Sequence, residues 1–174
     1  MTEGVIGLGS NVGNGRENVS RAWELLGEKK DVFLQGLSSP YFTEPVGMDS
    51  RNWFTNCVGL IETELTPEDL LSVLHEIEET LGRYRQGNNE IPVDRTVDLD
   101  LLFFSDLVTN SATLVVPHPE IQNRLFVLAP LAELLPNQRH PVLDLTAAQM
   151  LTRLISSEAQ MRDRKKVKKM AWTD

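Results

Sequence analysis

The 174-residue chain has a single cysteine, Cys57. A disulfide framework is thereby excluded, which suits a reducing compartment, and Cys57 in its apolar stretch reads as a small buried residue rather than a catalytic thiol. Long apolar runs are also missing. No segment approaches membrane-spanning length, and no basic region precedes the first apolar run after Met1-Thr2-Glu3-Gly4, so a cytoplasmic protein is expected. Positive charge is in short supply: 17 Lys and Arg stand against 25 Asp and Glu, for a net charge of −8. That balance speaks against nucleic acid or an anionic membrane as partner, and any anionic ligand must be held by a local cluster of cations or by a metal. There is no internal repeat and no G-x-x-x-x-G-K-[ST] phosphate loop. Gly7-Leu8-Gly9-Ser10-Asn11-Val12-Gly13 imitates a dinucleotide fingerprint, but its third glycine comes one residue late and no acidic residue closes a second strand, which argues against a Rossmann domain.

What remains is an ordinary globular composition, 41% apolar and 24% charged, long enough for one domain over 1–174 with a full core. Val5-Ile6-Gly7-Leu8 reads as a strand running into a loop. Val19, Ala22, Trp23 and Leu26 recur at helical spacing and predict a helix from about Glu17 to Glu28. A second strand covers Val32 to Leu37. A polar stretch with Pro40, Pro45 and Gly47 then forms a long connection to Asn52, of the kind that is often functional. Trp53 to Glu64 reads as a third strand. Thr66 caps a helix that has Pro67 at its first position, Leu70, Leu74, Ile77 and Leu81 as its apolar stripe, and Gly82 at its end. A fourth strand covers 97–104. This order is the ferredoxin-like βαββαβ arrangement of an α+β fold with an antiparallel sheet. A hairpin near Thr109–Val116 and helices over about Glu120–Leu135 and Ala147–Met161 complete the chain. The basic run within about 162–174 (Arg162, Arg164, Lys165, Lys166, Lys168, Lys169) reads as a solvated helix end or frayed terminus.

The chemistry centres on the fourth strand. Alternation puts Val97, Leu99, Leu101 and Phe103 on one face and Asp98, Asp100, Leu102 and Phe104 on the other. Two carboxylates roughly 7 Å apart along a strand this apolar repel each other and lose solvation unless a cation compensates. Hard oxygen donors select magnesium or a similar ion, completed by water and substrate phosphates. The plain alternative is a solvated strand end, and D-x-D alone is common. Arg83, Arg85 and Arg95 flank the pair, and guanidinium forks grip phosphates. Without the aspartates, these arginines would read as surface ion pairs. Pro117-His118-Pro119 carries a histidine that by itself reads as a loop hydrogen-bonder. Glu78 borders the buried stripe of its helix, with His75 one turn earlier, and is either paired or turned to a polar ligand group.

Together these residues resemble the 6-hydroxymethyl-7,8-dihydropterin pyrophosphokinases of folate biosynthesis. The resemblance runs from Gly7-Leu8-Gly9-Ser10-Asn11 to about Pro136. It includes Thr43-Glu44-Pro45-Val46-Gly47, Phe54-Thr55-Asn56, Gly82-Arg83-Tyr84-Arg85, Arg95-Thr96-Val97-Asp98-Leu99-Asp100, Val116-Pro117-His118 and Asn123-Arg124-Leu125-Phe126. It implies a ferredoxin-like fold and transfer of the β,γ-pyrophosphate of ATP to the pterin's hydroxymethyl oxygen, with AMP leaving. It also implies two magnesium ions at Asp98 and Asp100. Glu78, Arg83, Arg85, Arg95, Leu101, His118 and Arg124 then serve ATP, with Arg83 and Arg95 joining the aspartates in catalysis. The pterin lies between Phe54 and Phe126. Asn56 and the backbone of Thr43, Pro45, Val46 and Gly47 read its amide edge. Small molecules are the expected partners, and the expected state is a monomer.

The chain departs from the family pattern between Arg85 and Arg95. There Gln86 to Asp94 is long, contains no Lys or Arg, and places Asp94 where a proline or alanine is usual. Thr113 and Val115 replace polar or basic ATP contacts, and Pro119 replaces a frequent aromatic. A non-catalytic paralogue that binds pterin or nucleotide is therefore the alternative. A sugar-nucleotide transferase with a D-x-D motif is a third reading, but the large nucleotide-binding domain such enzymes need is missing.

Overall fold

The computed structural model describes residues 1–45, 52–82, 94–157 and 167–173. Ten strands and four α-helices follow one another there in the order β1 (Thr2–Ser10), α1 (Gly15–Gly27), β2 (Val32–Leu37), β3 (Tyr41–Thr43), β4 (Phe54–Thr63), α2 (Pro67–Thr80), β5 (Asp98–Phe104), β6 (Thr109–Asn110), β7 (Val115–Val116), α3 (Leu125–Leu134), β8 (Arg139–His140), β9 (Leu145–Thr146), α4 (Ala147–Ser156) and β10 (Val167–Lys169). The main sheet is antiparallel, with strand order β10-β3-β4-β1-β5, and β2 also pairs with β4. β2 and β3 share one edge of β4: β2 takes its Gly59–Thr63 half and β3 its Phe54–Asn56 half. No helix among the described residues is long and apolar enough to cross a membrane.

Local signals place the helices. Thr66 Oγ1 accepts from the Asp69 N–H at 3.1 Å, and Gly82 follows the end of α2 with φ of 89°, a conformation that suits glycine. α1 starts two residues earlier than the spacing predicts, because the Asn14 side chain caps it by accepting from Glu17 N. The predicted helix over 120–135 is broken: a 3-10 turn covers Ile121–Asn123, Arg124 is extended, and α3 begins at Leu125. Asn123 is a poor residue for a helix interior, because its side chain competes for backbone hydrogen bonds.

Two apolar clusters cover the two faces of the sheet. Ile6, Leu8, Cys57, Ile61, Leu99 and Leu101 pack with Val19, Ala22 and Leu26 of α1 and Leu70, Leu74 and Ile77 of α2. Val5, Val58, Leu102 and Phe103 pack with Leu128 and Leu131 of α3 and Ala147 and Met150 of α4. The strict alternation expected along β5 fails past Leu101. Ile6 pairs with Leu101 but Val5 with Phe103, so Leu102 is a bulge residue. Leu102 and Phe103 both join the α3–α4 cluster, and Phe104 joins Leu99 and Leu101 on the other side.

Two stretches read as irregular are strands. Tyr41-Phe42-Thr43, inside the predicted loop, pairs with β4, and Val167–Lys169, within the expected frayed tail, pairs with β3. The tail is anchored further by a bond from Trp172 Nε1 to the Ser38 carbonyl at 3.1 Å.

Candidate active site

The α3–α4 cluster covers one end of its sheet face. The other end is the floor of a cavity of about 810 Å³. Antiparallel pairing lays one row of residues straight across this floor: Asp98 on β5 faces Gly9 on β1, Gly9 faces Asn56 on β4, and Asn56 faces Tyr41 on β3. The next row sets Asp100 opposite Gly7 and Gly7 opposite Val58. Glycine at position 9 is a steric need, since a Cβ there would lie 2.9 Å from Asn56 Oδ1. The glycines therefore clear the space between an acidic side and a neutral side.

On the acidic side, Asp98 and Asp100 line the cavity together, as their spacing predicts. Arg95 Nη1 meets Asp98 Oδ2 at 2.5 Å. Burial pushes the Asp100 carboxyl up to about 6, the Asp98 charge adds to this, and the Arg124 guanidinium works against it. Glu78 is buried at 1% exposure; its Oε1 accepts from the Leu99 N–H at 2.8 Å and so grips the backbone between the two aspartates. It holds the strand and does not line the cavity, whereas His75 one turn earlier does. Leu101 lines the cavity and packs into the α1–α2 cluster. Arg124, at the start of α3, sits 5.8 Å from the centre of the Phe126 ring, a cation–π distance. His118 Nδ1 accepts from the Glu120 N–H at 3.2 Å, and burial, with the Arg124 charge, lowers its pKa. A neutral ring with Nδ1 as acceptor carries its proton on Nε2.

On the neutral side, Asn56 is 8% exposed and its Nδ2 donates to Thr43 Oγ1 at 2.9 Å. That bond leaves the amide's orientation fixed before any ligand arrives. Phe54 and Phe126 line the cavity with Thr43, Asn56 and the carboxylate-bearing Glu44; Pro45 does not. Phe42 and Trp53 stack with ring centres 4.9 Å apart. Val46, Gly47, Arg83 and Arg85 lie outside the described residues, as does the unusual stretch before Asp94. Thr113, Val115 and Pro119 do line the cavity.

Asn11 and Asp94 have a role the motif alone does not reveal. Asn11 Nδ2 donates to Asp94 Oδ1 at 2.6 Å, and Asn11 Oδ1 accepts from the Arg95 N–H at 2.8 Å. Asn52 Nδ2 donates to the other Asp94 oxygen at 2.7 Å. The chain entering β5 is thereby tied both to the loop after β1 and to the segment before β4. An asparagine ending a Gly-Ser-Asn turn is the one sequence signal for such a clamp.

Among the described residues no group of three or more His, Cys, Asp or Glu could hold a metal ion. The donor set nevertheless suits a hard divalent cation bound in part through a ligand's phosphates. Two carboxylates share a partly buried face, and one of them is driven toward protonation by burial and then by the other's charge.

Residues 5–136 match the family model of 7,8-dihydro-6-hydroxymethylpterin-pyrophosphokinase, HPPK. The chain belongs to the HPPK family. It is 41% identical over 129 residues to the 2-amino-4-hydroxy-6-hydroxymethyldihydropteridine pyrophosphokinase of Bacillus subtilis, a match that covers 74% of this chain and 75% of that one. It is 38% identical over 130 residues to the Bifunctional protein FolKE of Lactococcus lactis, covering 75% of this chain but only 36% of that one. The fold is similar to that of a Plasmodium falciparum HPPK-DHPS crystal structure with pteroate, with a TM-score of 0.77 at 14% identity, over 97% of this chain and 47% of that one. The chain thus spans about a third of the bifunctional relative and about half of the HPPK-DHPS chain. Asp98, Asp100, His118, Arg124, Thr43, Phe54, Asn56 and Phe126 all line this one cavity.

Proposed function

We propose that this HPPK-family chain is a 2-amino-4-hydroxy-6-hydroxymethyldihydropteridine pyrophosphokinase, which transfers pyrophosphate from ATP to 6-hydroxymethyl-7,8-dihydropterin and releases AMP. The observation that carries the proposal is one cavity in which an acidic pair and an aromatic-walled amide site face each other across Gly7 and Gly9. The first takes phosphates through a cation, and the second takes a flat heterocycle with a hydrogen-bonding edge. The chain's strand order, β5-β1-β4 with β2 and β3 sharing the next place, supports the ferredoxin-like reading.

Phe54 and Phe126 sandwich the pterin, and Asn56, held by Thr43, reads its amide edge with the backbone of Thr43 to Gly47. The pterin's hydroxymethyl oxygen is thereby aimed at the β-phosphorus of ATP, where a new O–P bond forms as the bond to the α-phosphate oxygen breaks, AMP departs and the hydroxyl proton passes to water. Arg95 and Arg124, with Arg83 and Arg85 by motif, balance charge on the phosphates, and neutral His118 can donate from Nε2. Magnesium, in two ions held by Asp98 and Asp100, would supply the charge neutralisation that lets the phosphates approach. Glu78 sets the spacing of the pair through the Leu99 N–H. The protein works in this reading as a monomeric cytoplasmic enzyme with small molecules as its only partners, and 1–174 forms one domain.

The test is AMP release from ATP and hydroxymethyldihydropterin, with and without magnesium. Magnesium-dependent AMP is expected from the wild type and none from folded Asp98→Ala. Full activity in that variant would sink the proposal. Tight binding of both substrates with no AMP on long incubation would favour the non-catalytic alternative instead, whose basis is the unusual stretch over 86–94.

A further inference from the structure

α3 is apolar apart from one residue. Of Leu125-Phe126-Val127-Leu128-Ala129-Pro130-Leu131-Ala132-Glu133-Leu134, only Glu133 is charged. Its two oxygens gather donors from two separate strands and the turn between β2 and β3. Oε1 accepts from the Ser39 N–H at 2.9 Å, and Oε2 accepts from the Tyr41 hydroxyl at 2.6 Å. Lys169 Nζ of β10 lies 3.1 Å from Oε2. Burial alone would raise the Glu133 carboxyl, but the bonds from Tyr41, Ser39 and Lys169 outweigh it and hold the group at about 2. Burial and the neighbouring carboxylate push the Tyr41 hydroxyl up, so its proton stays on the ring oxygen. The hub is a carboxylate satisfied by three protein donors.

One of these partners, Tyr41, leads to the Thr43–Asn56 side of the cavity. Tyr41 stands directly opposite Asn56 in the β3–β4 ladder, and Thr43, two residues along the same face, accepts from Asn56 Nδ2. On α3, Glu133 follows Phe126 by seven residues, two turns, so both lie on one stripe of the helix. The hub therefore ties the strand that orients the amide reader to the helix that carries one aromatic wall. Glu133 itself does not line the cavity.

We propose that Glu133 is a positioning residue for the pterin side: by bonding β3 and β10 to α3, it sets the gap between the Thr43–Asn56 pair and Phe126. The proposal rests on the pyrophosphokinase reading for the identity of the ligand. A cluster that only stabilised the fold would change the melting temperature and leave ligand affinities alone, whereas a positioning hub weakens one substrate and spares the other.

Two variants test this. Glu133→Gln keeps the side chain's shape, and Tyr41→Phe removes a single hydroxyl from a residue outside the cavity lining. Calorimetry of hydroxymethyldihydropterin, and separately of a non-hydrolysable ATP analogue with magnesium, reads each side of the cavity. In both variants the pterin Kd is expected to rise about 3- to 10-fold, the worth of a lost hydrogen bond of about 1 kcal/mol, and the nucleotide Kd to stay within about twofold. The double variant should be no weaker than the worse single one, because both act through the Glu133–Tyr41 contact. Unchanged pterin Kd in either folded variant overturns the proposal, and so does an equal rise in both Kd values. If the wild type forms no AMP yet shows the split, the catalytic reading fails and this one stands. If it turns over normally and the split is absent, this one alone fails.

Discussion

Asp100 and Glu133 are carboxylates on the same side of one sheet, and their surroundings move them in opposite directions. Burial and the Asp98 charge lift Asp100 to about 6. Three donors hold Glu133 at about 2. The difference separates two kinds of building. The neutral half of the cavity is finished by the protein itself: Asn56 is bonded to Thr43, and Glu133 is satisfied by Ser39, Tyr41 and Lys169. The acidic half keeps Asp100 raised although the Arg124 and Arg95 charges work against burial and Asp98. In the proposed function the first half receives a rigid ring, and the second receives a metal and its phosphates.

The sharpest way to break this comparison is Asp100→Asn. If the acidic half is held at a cost for the sake of a cation, the variant loses AMP formation by about a thousandfold or more, the scale of a lost electrostatic centre. It also melts higher than the wild type when no ligand is present. The direction follows from protons. A carboxyl raised from 3.8 to about 6 binds protons more tightly in the folded chain than in the unfolded one. Wild-type stability therefore falls as pH rises through that window, while asparagine has nothing to titrate. The Tm gap should open between about pH 4 and 6 and stay open above it, at about 2–4 °C per kcal/mol for a chain of this size. A variant that melts lower at pH 7 would mean that Arg124 already satisfies Asp100.

The second prediction addresses the floor between the halves. Gly9→Ala puts a Cβ against Asn56 Oδ1, so the amide must turn, and its Nδ2 leaves the bond to Thr43 Oγ1. One buried bond of about 1 kcal/mol predicts a pterin Kd roughly five- to tenfold higher, with magnesium-dependent nucleotide binding changed less. Equal damage to both would show that the halves are one unit.

The acidic half was the more legible from sequence. Asp98 and Asp100 share a face because a strand alternates, and Thr66 and Gly82 end α2 by local rules. Such features need only neighbours in the chain. The neutral half is assembled by distant pairing. Tyr41-Phe42-Thr43 sits between Pro40 and Pro45 and is a strand only because β4 and β10 flank it. Lys168 and Lys169 look like a solvated tail, and only the sheet edge and Glu133 make them structural. Phe103 and Phe104 exchanged faces because a bulge at Leu102 cannot be read from alternation. Glu133 had one sequence signal, a lone charge in an apolar helix, but two of its three partners are 92 and 94 positions away in the chain.

The smallest expected effect concerns that same residue in acid. With its carboxyl at about 2 in the folded chain against an ordinary 4.5, Glu133 binds protons more weakly folded than unfolded. Its contribution is therefore present above about pH 4.5 and is lost as pH falls toward 2. Glu133→Gln should melt below the wild type at pH 7, and the two curves should converge between about pH 4.5 and 2. Asp100→Asn differs from the wild type most where its own carboxyl is ionised as well, but with the opposite sign. The two Tm-against-pH difference curves should thus have opposite signs, the Glu133→Gln curve being the shallower and lying at lower pH. Curves of the same sign would mean that both groups are held by protein donors, and the acidic half would then need no cation to be complete.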